Sequence, residues 1–145
     1  MNLNWKKRRE AGFTLIELMI VLFILGLLAA LVVPRLMGQV GKAKQKTALA
    51  QIHLLATTLD LMYLDVGRYP STEEGLKALR ERPDNMPAWS GPYLDKPIPN
   101  DPWGRPYIYK SPGEHGPYDL YSLGADGAAG GDGENRDVTN WGTAQ

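Results

Sequence analysis

Residues 12–21 read GFTLIELMIV, and this stretch decides how the rest of the chain is organised. A glycine and an aromatic residue precede an apolar run whose only charged residue is Glu17. The run extends from residue 13 to residue 33, and as an α-helix it would be about 30 Å long, the thickness of the hydrocarbon core of a bilayer. The sequence therefore predicts a membrane-spanning helix, with an acid near its start that needs an explanation.

Basic residues before the run predict its orientation. Lys6, Lys7, Arg8 and Arg9 stand against the single acid Glu10 within residues 1–12. Basic flanks stay on the cytoplasmic side, so the chain beyond residue 33 is expected across the membrane. The formal net charge of the whole chain is +0, which gives no indication of nucleic-acid binding, and the chain has no cysteine.

Three interpretations of the apolar run are open on these residues. A cleaved secretory signal requires small residues after the run, but the run ends LAALVVPRL without an A-x-A site. A plain membrane anchor leaves Glu17 unexplained. In the third interpretation the chain is cut between Gly12 and Phe13. The helix then survives as the mature N-terminus, with a free ammonium group one helical turn from Glu17.

The basic leader at residues 1–12, the letters GFTLIE and the long apolar helix together resemble the class III signal of type IV pilins and type II secretion pseudopilins. The resemblance implies that a prepilin peptidase cuts after Gly12 and methylates the new N-terminus at Phe13. It also implies that Glu17 acts in filament assembly by neutralising the amine of a neighbouring subunit. An acid alone in hydrocarbon is costly, and a nearby cation offsets that cost.

The stretch that follows, residues 34–66, predicts the second half of one long helix. Pro34 removes a backbone hydrogen bond and clashes with the preceding turn, so we expect a kink or local melting there. Beyond it, apolar residues at spacings of three and four predict a face that packs on a globular head. These residues are Leu49, Ile52, Ala56, Leu59, Tyr63 and Val66.

Residues 67–145 predict that head. Gly67 can end the long helix, and Ser71 with Glu74 predicts a capping box for a short helix through about Arg80. The letters YIYK and YDLYSL, at 107–110 and 118–123, predict an antiparallel hairpin. Trp103 and the tyrosines are expected to cover the helix.

Further motifs extend the resemblance to the major-pseudopilin family of type II secretion. They are RYPSTEEGLKAL, GPYL, DPWGRPY and GPYDLYSLGADG. The resemblance covers residues 12–141. Pilus pilins commonly close their C-terminal region with a disulfide, whereas this chain has no cysteine. It implies a type IV pilin-like α+β fold. In that fold a long N-terminal helix, kinked near Pro34, packs on a small head that has a short antiparallel sheet and a calcium-binding C-terminal loop.

Acidic residues and glycines crowd the C-terminal stretch SLGADGAAGGDGENRD. Glycines let backbone carbonyls turn inward while carboxylates supply charge, a combination that suits Ca²⁺. A flexible glycine-rich tail is the other interpretation, and the order of an EF-hand loop is absent. The resemblance implies calcium ligands from the Leu123 and Ala128 carbonyls, Asp126, and the downstream acids Asp132, Glu134 and Asp137.

The resemblance implies a structural function. The chain is expected to be the repeating subunit of a periplasmic pseudopilus that exports folded proteins across the outer membrane. A type IV pilus or competence-type subunit for adhesion or DNA uptake is the alternative. For the pseudopilus subunit, the expected partners are further copies of the same chain, minor pseudopilins, the inner-membrane assembly platform and the prepilin peptidase. Before assembly the subunit is expected in the membrane. No enzymatic activity is expected, because no nucleophile–base pair or phosphate-binding loop is visible.

Overall fold

A computed structural model describes residues 12–142, so most of the basic leader, residues 1–11, lies outside the described residues. The chain divides into two compact units between Gly38 and Gln39. This division falls a few residues after the boundary expected between 13–33 and 34–66. The elements, in chain order, are α1 at Leu15–Val66, a 3-10 helix at Leu76–Leu79, β1 at Ile108–Lys110, β2 at Asp119–Ser122, a 3-10 helix at Gly133–Asn135 and β3 at Val138–Thr139.

Helix α1 is 52 residues long and begins in the first unit. The helix continues through Pro34, so the local melting that we expected at this proline is not observed. A proline removes one backbone donor, and the residues on either side of Pro34 remain helical. Every residue from 12 to 40 is exposed.

Within the second unit α1 buries one face. The buried apolar residues follow one another at spacings of four and three; they are Ala48, Ile52, Leu55, Leu59 and Met62. The stripe expected from the sequence was therefore right at Ile52 and Leu59 and wrong at Tyr63, which is 44% exposed. Both Leu49 and Ala56 are only partly buried against the core. Apolar residues occur on both sides of Ile52 in the sequence, so periodicity alone could not choose between the two faces.

The segment after α1 keeps the predicted cap but not the predicted helix. Ser71 and Glu74 form the reciprocal capping box: the Ser71 N–H donates to Glu74 Oε2 at 2.7 Å, and the Glu74 N–H donates to Ser71 Oγ at 3.2 Å. Gly75 then takes a φ of 60°, a left-handed conformation that ends a right-handed helix. Only turns and the four-residue 3-10 helix follow.

The sheet has three antiparallel strands in the order β1-β2-β3. Tyr109 in β1 faces Leu120 in β2, which confirms the predicted hairpin. The third strand was not predicted: Val138 pairs with Ser122 and closes the C-terminal segment onto the sheet. Tyr107, Tyr109 and Tyr118 are buried in the same core as the helix face, as expected, and Trp103 packs against that core.

Candidate functional sites at the helix start and in the glycine-rich loop

The side chain of Thr14 caps the start of α1. Thr14 Oγ1 accepts a hydrogen bond from the Glu17 N–H at 3.3 Å, and the Thr14 carbonyl accepts one from the Leu18 N–H at 3.2 Å. Threonine followed three residues later by glutamate is the spacing of a capping box. The sequence reasoning overlooked this signal in the letters TLIE, although it fixes where Glu17 stands in the helix.

Glu17 stands in the first turn of α1, where a negative charge is favoured by the helix dipole. No ion pair involves Glu17 among residues 12–142. The large apolar side chains around it are all exposed, for example Leu15 at 79% and Phe23 at 69%. Of the helices in the described part of the chain, α1 is long and apolar enough to cross a membrane. This half of α1 therefore presents an apolar surface with a single acid near its beginning.

The glycine-rich loop between β2 and β3 has a defined backbone. Gly124 and Gly131 take φ values of 66° and 84°, and an added Cβ on either would lie 2.7 Å from the Asn135 carbonyl oxygen. Both positions therefore require glycine, for conformation and for space. The loop folds back on itself at Asn135, because the two glycines from its first half approach the same backbone group.

The acids of this loop are not gathered into one cluster. Among residues 12–142, no group of three or more Asp, Glu, His or Cys side chains is placed to hold a metal ion. Asp126 Oδ1 accepts from the Ala128 N–H at 3.1 Å in a local turn. Asp132 precedes the second 3-10 helix without a side-chain cap, and the Glu134 side chain lies against Gly41 of α1. A metal site here would have to use backbone carbonyls beside the carboxylates.

Asp137 is the acid whose surroundings best fit a cation. Its Oδ2 accepts from the Gly130 N–H at 2.9 Å, and its own N–H donates to the Gly130 carbonyl at 3.2 Å. Its Oδ1 is buried and has no hydrogen-bond partner among the described residues. A buried carboxylate oxygen without a donor is costly. A hard cation would satisfy this oxygen.

Two carbonyls expected as ligands are also open. The Leu123 and Ala128 carbonyl oxygens accept no backbone hydrogen bond among residues 12–142. By contrast, the neighbouring Gly124 carbonyl accepts a hydrogen bond from the Arg105 guanidinium. Oxygen ligands of these two kinds, carboxylate and carbonyl, are those that Ca²⁺ prefers. The donor set of the loop fits that ion.

The loop is held against α1 by residues that the sequence reasoning overlooked. Gln45 Nε2 donates to the Glu134 carbonyl at 3.1 Å and to the Arg136 carbonyl at 2.9 Å. Gly41 is buried, and the Glu134 side chain occupies the space where a Cβ on Gly41 would stand. These contacts join positions about ninety residues apart in the chain, so no local pattern could have shown them.

An ion pair fixes the beginning of the segment after α1. Arg68 binds Glu74 through two hydrogen bonds, of 2.8 Å and 2.9 Å. The Arg68 hydrogen bond is the main cause that lowers the pKa of Glu74, to about 2. Asp119 is a second acid with a shifted pKa, and burial raises that pKa. Hydrogen bonds from the His115 side chain and from the backbone N–H groups of Glu114 and His115 outweigh that effect, so the pKa is lowered overall. Neither site resembles a catalytic arrangement.

Comparison with known proteins first defines the class. The family model described as "Prokaryotic N-terminal methylation motif" matches residues 7–33. The chain is therefore of the class whose N-terminus carries this motif at the start of a long apolar helix.

The head then defines the family within that class. The model described as "Type II secretion system (T2SS), protein G" matches residues 35–141. Type II secretion system core protein G of Pseudomonas aeruginosa is 48% identical, over 94% of this chain and 98% of its own length. The protein of the same name from Aeromonas hydrophila is 49% identical, over 94% and 95%. The chain belongs to the protein G family of the type II secretion system.

A solved structure agrees with this membership. The crystal structure of the major pseudopilin from the type 2 secretion system of enterohaemorrhagic Escherichia coli is 37% identical. It covers 76% of this chain and 94% of its own, with a TM-score of 0.62. The fold is type IV pilin-like, with a long N-terminal helix and a small antiparallel sheet, and the family is one of structural subunits, not enzymes.

Proposed function

We propose that this chain is the major structural subunit of a type II secretion pseudopilus. Copies polymerise into a periplasmic filament that drives the export of folded proteins across the outer membrane. The observation that carries the proposal is the match of the secretion-system family model to the head, residues 35–141. The same match favours this function over a pilus or competence-type subunit, because the head is the part by which such subunits differ.

Before assembly the subunit is stored in the inner membrane. The apolar half of α1 exposes leucine, isoleucine and valine side chains on all sides, which suits a helix surrounded by lipid. The basic residues at positions 6–9 remain in the cytoplasm and the head enters the periplasm. Assembly transfers the same apolar surface from lipid to neighbouring copies, together with minor pseudopilins and the assembly platform.

Glu17 directs that transfer. After cleavage behind Gly12, Phe13 carries a free ammonium group, and Glu17 of one copy pairs with the ammonium of the next. Two observations support this role: Glu17 has no ion-pair partner among residues 12–142, and it lies in a surface of exposed apolar side chains. A charge in such surroundings gains most from an external cation.

Three variants test this role by comparing membrane insertion with filament formation. Glu17→Val should insert at the wild-type level or better, while filament yield in micrographs and secretion fall at least about tenfold. Glu17→Gln keeps the length of the side chain but removes the charge, and it should fail in the same way. Thr14→Ser keeps the helix cap and is the control that should assemble normally. Wild-type filaments from Glu17→Gln would remove the assembly role of the charge.

We further propose that the glycine-rich loop binds Ca²⁺. Asp137 and Asp126 would supply carboxylate oxygens, Leu123 and Ala128 would supply carbonyls, and Asp132 is the remaining downstream acid with a free side chain. Glu134 is the weakest candidate, because its side chain already packs on Gly41. When bound, the cation would neutralise the carboxylates and tie the two halves of the loop together.

The metal proposal is tested by thermal unfolding of the full chain in detergent, with calcium and with chelator. A ligand at about 100 times its Kd stabilises the native state by about 2.7 kcal/mol, so wild type should melt higher in calcium. Asp126→Ala and Asp137→Asn should lose most of that difference, and Mg²⁺ should substitute poorly. Asp84→Asn, which removes an exposed acid outside the loop, is the control. Equal melting of wild type in the two conditions would remove the proposed metal site.

A further inference from the structure

The end of the glycine-rich loop is seated on the first turns that α1 contributes to the second unit. Gln45 is placed to donate both amide hydrogens of its side chain, one to the Glu134 carbonyl and one to the Arg136 carbonyl. Two donors on one rigid amide fix both the position and the direction of the backbone that they bind. Gln45 therefore fixes the backbone segment that immediately precedes Asp137.

Gly41 makes room for the same segment one helical turn earlier. It is buried, and a Cβ on it would overlap the carboxylate and stem of Glu134. Glycine weakens the interior of a helix, so its presence in α1 needs a reason. The close approach of Glu134 supplies that reason. We call this set of contacts, Gly41 and Gln45 with Glu134 and Arg136, the helix–loop lock.

The lock lies beside two of the candidate metal ligands, Asp126 and Asp137, and close to the division between the two units. The Glu134 carbonyl that Gln45 binds also accepts from the Ala125 N–H at 2.8 Å, next to Asp126. Arg136 directly precedes Asp137. At the helix end, Gly41 is the third residue after the division between Gly38 and Gln39. One set of contacts thus connects the start of the head part of α1 with both arms of the loop.

We propose that Gly41 and Gln45 are positioning residues for the loop, and that the lock couples metal binding in the loop to helical order at residues 41–48. This inference rests in part on the proposed calcium site. Coupling between two sites is reciprocal. A cation that orders the loop must therefore protect the helix start, and a change that loosens the helix start must weaken the cation's binding.

The test uses the full chain in detergent and the variant Gln45→Met, which keeps the length of the side chain and removes both donors without adding a charge beside the proposed cation. Two quantities are measured: the calcium concentration that gives half of the thermal shift, and amide hydrogen exchange at residues 41–48 and 133–137 in chelator. Loss of a group that orients ligands weakens metal binding by about 10- to 100-fold. Gln45→Met should raise the half-point about tenfold and speed exchange in both segments.

Matched variants separate positioning from general destabilisation. Lys46→Gln changes an exposed neighbour on the same helix and should leave both quantities at wild-type values. Gly41→Ala should act in the same direction as Gln45→Met, but it introduces an overlap that can block folding, so Gln45→Met is the deciding variant. A lower melting temperature in Gln45→Met with an unchanged calcium half-point would overturn the coupling.

The two proposals fail in different ways. If wild type shows no calcium shift, the metal site is wrong, and the lock is then decided by exchange in chelator alone. Faster exchange of Gln45→Met at both 41–48 and 133–137 would retain the lock as a contact that orders the helix and the loop together. Wild-type exchange at either segment would overturn it.

Discussion

The two halves of α1 are one continuous helix with opposite relations to their surroundings. From residue 15 to residue 38 every residue is exposed, and the sequence is apolar except for Glu17 and Arg35 and a few small residues. In the second unit the helix is amphipathic, and residues such as Ile52, Leu59 and Met62 are completely buried. The first half therefore needs an environment from outside the chain, whereas the second half is stabilised by the chain's own head.

The difference changes what the sequence must specify. In a bilayer or a filament core, many apolar residues are acceptable at each position, and the information is concentrated in a few chemical features such as Gly12 and Glu17. In the head, each buried side chain fills a particular space, and loss of a few atoms leaves a cavity. Substitutions should thus act on processing and assembly in the first half and on stability in the second.

The largest effect is expected at the end of the leader. If the cut falls after Gly12, Gly12→Val should leave nearly all of the chain with its leader, while Gly12→Ala should be tolerated better. Gly26→Ala, a glycine in open space in the same helix, should be processed like wild type. Intact-mass measurement of the purified proteins gives the result. A mature wild-type chain that does not begin at Phe13 would contradict this account of the first half.

A second prediction compares two leucines of the same helix. Leu59 is 0% exposed in the core and Leu25 is 55% exposed in the apolar half. Leu59→Ala should destabilise the head by about 2–5 kcal/mol, and Leu25→Ala should change head stability by less than about 0.5 kcal/mol. Urea unfolding of both full-length variants in detergent measures the difference. A large loss of head stability in Leu25→Ala would mean that the two halves are not independent.

The features that were predictable from sequence are those with a local signal. The apolar run, the capping box of Ser71 with Glu74 and the hairpin around Tyr109 each depend on residues close together in the chain. The buried face of α1 was only partly predictable, because Tyr63 and Met62 are both apolar enough to face a core. Gly75 was visible in the sequence, but whether it would take a left-handed φ depends on the turn that the head requires.

The candidate metal site shows the same limit. The residue types of a hard-cation site were visible in the loop, yet four acids close in sequence did not become one cluster in space among residues 12–142. Asp137 directly precedes strand β3, whereas the Glu134 side chain lies against Gly41 of α1. Gln45 binds the carbonyls of Glu134 and Arg136. Each of these placements is a long-range contact, and neither composition nor periodicity carries that information.

A third prediction sharpens the view of the loop as an ordered part of the head. Gly130 and Gly131 both have a positive φ, of 92° and 84°, but only the Cβ added at Gly131 meets a neighbour, the Asn135 carbonyl oxygen. Gly130→Ala should cost about 1 kcal/mol for the backbone conformation alone. Gly131→Ala should cost about 2–3 kcal/mol, because steric overlap is added to the same strain. Urea unfolding in chelator compares them, and equal small effects would indicate a loop that is not held in this conformation.

The smallest effect concerns an ion pair at the edge of the head. Glu74 has a folded-state pKa of about 2 against an ordinary value of 4.5, chiefly because of its hydrogen bond with Arg68. Since the folded state favours the ionised carboxylate, the pair's contribution is fully present above about pH 4.5 and is lost as the pH falls toward 2. The Arg68 side chain is 40% exposed, so screening by solvent limits the contribution to about 1 kcal/mol.

Glu74→Gln isolates this contribution from those of the other carboxylates. The variant should be less stable than wild type by about 1 kcal/mol at pH 7, and the difference should shrink steadily between about pH 4.5 and pH 2. Glu73→Gln removes an exposed neighbour and should match wild type across the same range. All unfolding curves are measured in chelator, because protonation of the loop acids would otherwise add a metal-dependent change. A constant gap between wild type and Glu74→Gln from pH 7 to pH 2 would show that the pair acts through packing of the side chain and not through its charge.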